Sequence, residues 1–179
     1  MSKPILVLDF DGVIHGYQSG WKGAANIPDP PVPGALEFIV GALDKFEVHI
    51  LSSRSHQWGG RRAMKRWLWE WLVTEGDANP SKPKRDIPAW WKAYVYAQSS
   101  MEPWCNEVRN AAHLVVRSVK WPTRKPAALY TIDDRAHQFD GSWPALETIA
   151  AFKPWNKRAP PPSEPLPETQ GQSGSSRTP

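Results

Sequence analysis

At 179 residues the chain has a one-domain length and can bury a substantial core. With 40% apolar and 22% charged residues its composition is that of an ordinary soluble protein, and no stretch approaches the roughly 18 apolar residues that span a membrane. The net charge of +4 is unevenly spread: residues 54–125 carry 14 basic and 6 acidic side chains, whereas residues 1–53 carry 3 and 6, so a phosphorylated or polyanionic partner suits the middle of the chain.

The opening, "MSKPILVLDFDG", reaches its first acids without a long apolar segment, so no signal peptide is expected. The single cysteine, Cys105, forbids an intramolecular disulfide and fits a reducing, cytoplasmic setting. Five scattered histidines and one thiol make a poor zinc site. "PILVLDF" is a near-continuous apolar run, the pattern of a strand covered on both faces in a parallel sheet. A Gly- and Pro-rich loop follows to residue 33, then a helix over 34–46 with Leu36, Ile39, Val40 and Leu43 on one stripe. "EVHILS" (47–52) reads as a second strand. Residues 60–76 form a helix with Met64, Trp67, Leu68, Trp71 and Leu72 on its apolar side. Its opposite side carries Arg62, Lys65, Arg66 and Trp69, a basic face with one aromatic.

Residues 77–88 are a polar, Pro-interrupted connection, and 89–115 read as mostly helical with a break at Pro103. Short strands are expected at 115–121 and 127–132, and a last helix at 144–152. Residues 1–155 therefore make one domain, and the Pro/Ser/Gly/Gln-rich stretch 156–179 a disordered tail with little to bury. Strands alternating with helices argue for an α/β sandwich around a mostly parallel sheet.

In such a sheet the carboxyl ends of neighbouring strands meet on one ligand-binding edge. Asp9, Ser52 and Asp133 each end an apolar run, so all three are expected there. Past the strand end Asp9 and Asp11 can both face one crevice, with Gly12 letting the chain bend. Acids held side by side repel unless a cation relieves them. Mg2+ fits, since it takes carboxylate oxygens together with a substrate phosphate. Asp133 and Asp134 supply further acids, Ser52 a hydroxyl for a phosphate oxygen, and Lys125 a cation for the charge of phosphoryl transfer. A calcium loop is a poor alternative, because position 20, where it needs Glu, is Gly.

"LDFDGV", "HILSSR", Lys125 of "TRKPAALYTIDDR" and the "DD" pair resemble, in order, the four motifs of the haloacid dehalogenase-like (HAD) hydrolase superfamily, and they span residues 5 to 135. The whole pattern is similar to the small stand-alone HAD-like proteins of bacteria and phages. The resemblance implies a three-layer, Rossmann-like sandwich and a Mg2+-dependent phosphatase. It implies Asp9 as the nucleophile, with an aspartyl-phosphate intermediate, and Asp11 as the acid that protonates the leaving group and then activates water. It implies Ser52 and Lys125 on the phosphoryl group, and Asp9, the Asp11 position, Asp133 and Asp134 around the metal. Ser53 is the other register for the serine, and Gly12 a substrate-contacting position.

Only about 20 residues separate Val13 from the first helix, too few for a cap domain, so any cap is a small helical insertion within 77–114. "SSR" and "DDR" also resemble the phosphatase half of polynucleotide kinase-phosphatases, which implies a phosphate contact for Arg54 and a nucleotide or nucleic-acid end as substrate, with a phosphorylated small molecule as the other class. Arg135 is the counterpart after the acid pair. No kinase P-loop is present. His56 and His137 lie near these motifs as candidate substrate contacts, and Trp58, Trp90 and Trp91 as candidate site walls. Two other classes share part of the pattern: a phospho-accepting signalling domain, whose acid pair sits at the first strand, and a non-catalytic nucleic-acid-binding module on the same scaffold. No membrane association and no obligate protein partner is expected.

Overall fold

The computed structural model describes residues 2–76, 87–98, 103–136 and 143–158. A three-stranded, all-parallel sheet is built from β1 (Ile5–Leu8), β2 (Glu47–Ile50) and β3 (Tyr130–Ile132), in the order β2-β1-β3. Leu6 faces Val48 on one side and Tyr130 on the other, a register that brings Leu8, Ile50 and Ile132 level at the carboxyl edge. The apolar runs behave as central strands should: Leu6, Val7 and Leu8 of β1 and Val48 and Ile50 of β2 are buried. β3 is more exposed, with Tyr130 largely in solvent.

Five helices accompany the sheet among the described residues. After β1 the chain loops to α1 (Ala35–Ala42), and after β2 it passes through a short 3₁₀ turn (Ser53–His56) into α2 (Gly60–Glu75). α3 (Ala89–Ala97) and α4 (Trp104–Ser118) follow, and a short α5 (Leu146–Ala150) lies beyond β3. Met64, Trp67, Leu68 and Leu72 of α2 are buried at helical spacing, and α2 packs on α4 through Val108, Ala111, Ala112 and Val115. Each fully buried Leu of this set contributes roughly 1.5–3 kcal/mol. Among the described residues no helix is long and apolar enough to cross a membrane.

The clearest departure from expectation lies before β3. Residues 115–121 are not a strand: α4 continues to Ser118, because Val115 completes its apolar stripe. What remains of a strand is Lys120 alone, whose N–H donates to Val48 O (2.8 Å) and whose carbonyl accepts from Ile50 N–H (2.9 Å) on the outer side of β2. Both α3 and α4 begin directly after a proline, Pro88 and Pro103, and their central parts fall within the expected insertion. Residues 77–86 and 99–102 of that insertion lie outside the described residues, as do His137 and the tail from residue 159.

Candidate active site

The carboxyl edge of the sheet is laced by backbone hydrogen bonds: Asp9 N–H donates to Ile132 O (2.9 Å) and Leu51 N–H to Leu8 O (3.0 Å). Strand geometry then places alternate residues on opposite sides. Phe10 is fully buried, stacked on His15 and edge-on to Trp67. Asp9 and Asp11, on either side of this anchor, line a cavity of about 370 Å³. Tyr17, Ser52, Ser53, His56, Asp133 and Arg135 complete the part of its wall that bears chemistry.

One carboxylate oxygen each from Asp9, Asp133 and Asp134 lie within 4.8 Å of one another. Burial, with the neighbouring Asp133, Asp11 and Asp134 adding to it against one backbone hydrogen bond, pushes Asp9 up from its ordinary 3.8 to about 7. Burial likewise raises Asp134, against the pull of Arg135. Both oxygens of Asp134 are buried without a hydrogen-bond partner, and its one cationic neighbour, Arg135 Nε, stands 3.6 Å away. Buried carboxylate oxygens left unpaired in this way fit a hard divalent cation, which takes oxygen ligands. Asp133 is exposed and accepts the Arg135 N–H (2.8 Å), which fixes the turn after β3.

Asp11 is in the opposite condition. Arg54 Nε donates to both its oxygens (3.0 and 2.8 Å), and His15 Nδ1 lies 2.9 Å from Oδ1. The proton of His15 belongs on Nδ1, because Nε2 accepts the Asp29 N–H (3.2 Å). Burial alone would raise Asp11, but the hydrogen bonds from His15 and Arg54 hold it below the ordinary carboxylate value. Its carboxylate is therefore spent on protein partners, and the acid cluster open to a metal is Asp9, Asp133 and Asp134.

Comparison with protein-family models, curated proteins and solved structures finds no match to this chain.

The remaining expected residues divide. Ser52 and Ser53 both line the cavity; Ser52 is buried, its hydroxyl accepting Arg54 N–H (3.3 Å) at the start of the 3₁₀ turn, while Ser53 is exposed. Gly12 has φ +92°, and a Cβ there would lie 2.5 Å from Asp134 Oδ2, so the residue must be glycine for Asp134 to reach the cluster. Arg54, expected on a substrate phosphate, is fully buried. Besides Asp11 its guanidinium donates to the carbonyls of Gly23 (2.7 Å), Ala24 (3.0 Å) and Asn26 (3.2 Å) and lies 4.6 Å from the centre of the Trp21 ring. Lys125 is exposed on the connection before β3, and the cation that lines the cavity is Arg135 instead. Trp91 is wholly buried core, Trp90 borders a separate cavity near Pro30 and Trp71, and Trp58 is 98% exposed.

Sequence reasoning gave no role to His15, Tyr17 or Trp155. His15 stands four residues after Asp11, the one polar side chain in an apolar stretch. Tyr17 is the one non-glycine residue with positive φ (58°) among those described, a conformation costing roughly 1–3 kcal/mol, and Arg135 sits 5.7 Å from its ring centre. Trp155 Nε1 donates to Gly12 O (2.7 Å), and Asn156 and Lys157 donate to Gly16 O and Gln18 O. The domain boundary expected after residue 155 thus falls inside a 3₁₀ turn, Trp155–Lys157, that straps the loop behind the acids.

Proposed function

We propose that the protein is a Mg2+-dependent phosphatase that hydrolyses a phosphomonoester through an aspartyl-phosphate on Asp9. The observation that supports this reading is the meeting of Asp9, Asp133 and Asp134, the buried oxygens of Asp134 lacking a hydrogen-bond partner, beside a cavity that Asp9, Asp133 and Ser52 line. On this reading the sheet and helices are a three-layer HAD-like sandwich without a large cap, and the enzyme works in the cytoplasm.

Asp9, Asp133 and Asp134 would hold the ion, which when bound neutralises phosphate charge and keeps Asp9 ionised. An oxygen of Asp9 attacks phosphorus, and the bond from phosphorus to the ester oxygen breaks. Asp11 in its protonated form gives the leaving oxygen a proton and is left as the carboxylate; it then takes a proton back from the water that attacks the aspartyl-phosphate, which releases inorganic phosphate and free Asp9 and restores the acid for the next turnover. The Arg54–His15 clamp holds Asp11 as an anion, the form that second step uses. Ser52 donates to a phosphoryl oxygen, and Arg135 supplies the positive charge first sought in Lys125.

The test is phosphate release from p-nitrophenyl phosphate with Mg2+, comparing wild type with Asp9→Asn. The reading expects turnover in the first and its loss in the second; equal rates would end it.

A further inference from the structure

A second concavity, of about 740 Å³, opens directly beside the acid cavity. The two share His56, and the turn from Ser52 to His56 forms the border between them. Its floor carries Arg61, Arg62 and Lys65 from the first two turns of α2, and among the described residues no acidic side chain lines it. Arg61 and Arg62 stand in the first turn of α2, where the peptide dipoles disfavour cations, and among the described residues no carboxylate forms an ion pair with either. At the rim stands Trp58, 98% exposed, the most exposed large apolar side chain described. Lys65 also lies 5.9 Å from the Trp121 ring centre, and Arg61 reaches the Trp121 carbonyl, so the cations are held in place from below. Trp69, the aromatic the sequence offered for this face, is used elsewhere, packed on His113 of α4.

Resting on the phosphatase reading above, we infer that this groove is the leaving-group subsite for single-stranded nucleic acid. A terminal phosphate enters the acid cavity while the adjoining backbone phosphates run over Arg61, Arg62 and Lys65, and a base stacks on Trp58. Closely spaced cations beside a bare aromatic face are the combination that tracks a phosphodiester strand without reading its sequence. A peptide, unless acidic, would meet the three cations without charge, whereas a nucleic-acid strand brings a phosphate and a planar base with every residue. The reaction is hydrolysis: the oxygen of water ends on phosphorus, the terminal ester bond breaks, and an oligonucleotide hydroxyl and inorganic phosphate leave.

The experiment measures kcat/KM of the full chain with Mg2+ on decathymidylate phosphorylated at its 5′ or 3′ end, on thymidine monophosphates, and on p-nitrophenyl phosphate. Wild type prefers one phosphorylated decamer over the mononucleotides by about tenfold or more. The triple variant Trp58→Ala/Arg62→Gln/Lys65→Gln, whose fold is checked by thermal melting, loses that preference through KM. It leaves p-nitrophenyl phosphate turnover unchanged and flattens the salt dependence by about one unit in the log–log slope. Equal kcat/KM on decamer and mononucleotide, a parallel loss on every substrate, or a preference for a phosphopeptide of equal length would overturn the inference.

If wild type releases phosphate from none of these esters, the catalytic reading fails by itself. The groove is then judged by fluorescence anisotropy with labelled, unphosphorylated decathymidylate. About tenfold weaker binding in the triple variant supports it, and no binding, or equal binding, overturns it.

Discussion

Two acids of one short stretch meet opposite fates. Asp11 is buried and answered from within, by Arg54 on both oxygens and by His15 on one. Asp9 lies two residues earlier, is also withdrawn from water, and has further carboxylates for neighbours. The first is held below the ordinary carboxylate value and the second is pushed well above it. A chain able to supply one internal cation to this loop could have supplied two. Asp9, Asp133 and Asp134 have only the half-exposed Arg135, 3.6 Å from Asp134, to answer them, and so remain a place for charge from outside, whereas Asp11 is fixed in position before any ligand arrives.

The contrast can be broken from either side. The largest effect is expected on the unanswered side: Asp9→Asn lowers Mg2+-dependent phosphate release by at least about 10³-fold, because it removes the nucleophile itself. On the answered side, Arg54→Met leaves the Asp11 charge buried and half-paired and frees the carbonyls of Gly23, Ala24 and Asn26. Chemical denaturation should show a loss of about 3–5 kcal/mol, and Asp11→Asn in the same chain should recover part of it.

Acid titration sharpens the comparison, because the two groups act with opposite sign. Asp9 binds its proton more tightly folded than unfolded, so the metal-free fold loses stability as pH rises from about 4 to about 7, then levels off. Asp11 binds its proton less tightly when folded, so its contribution is present above the ordinary carboxylate value and disappears as pH falls through its lowered one. Thermal melting at several pH values with and without Mg2+ separates the two. The ion, at about 100 times its Kd, adds about 2.7 kcal/mol at neutral pH and offsets the decline due to Asp9, while the acid limb due to Asp11 stays. The smallest effect is at the strap: Trp155→Phe removes one hydrogen bond to Gly12 O and costs about 1 kcal/mol, with faster amide exchange confined to residues 12–18.

Much of this arrangement was legible because strand ends announce themselves. An apolar run that stops on an acid fixes where the acid lies once the sheet is parallel, which is why Asp9, Ser52 and Asp133 were expected at one edge. The stripe of Met64, Trp67, Leu68 and Leu72 was readable for the same kind of reason, a fixed period against a buried face. The direction in which a side chain turns carries no period. Arg54 has the same identity and spacing whether it reaches outward to a phosphate or inward to Asp11, and what decides is the loop of residues 21–26, whose carbonyls collect it. Lys125 follows a proline-rich connection that has no repeating pattern to place it. The strand read at 115–121 failed because Val115 and Val116 favour strands only where no facing helix is available, and here α2 is. Trp155 sat at the edge of a stretch whose composition promises nothing, and its single donor found Gly12 O all the same.

Direct titration of Mn2+ as a reporter for Mg2+, followed by paramagnetic resonance, goes to the centre of this account. Wild type and Arg54→Lys are expected to bind one ion per chain, and Asp133→Asn/Asp134→Asn none at the same concentration. Equal binding by wild type and the double variant would show that the three acids are not a metal site and would remove the basis for the chemistry assigned to Asp9.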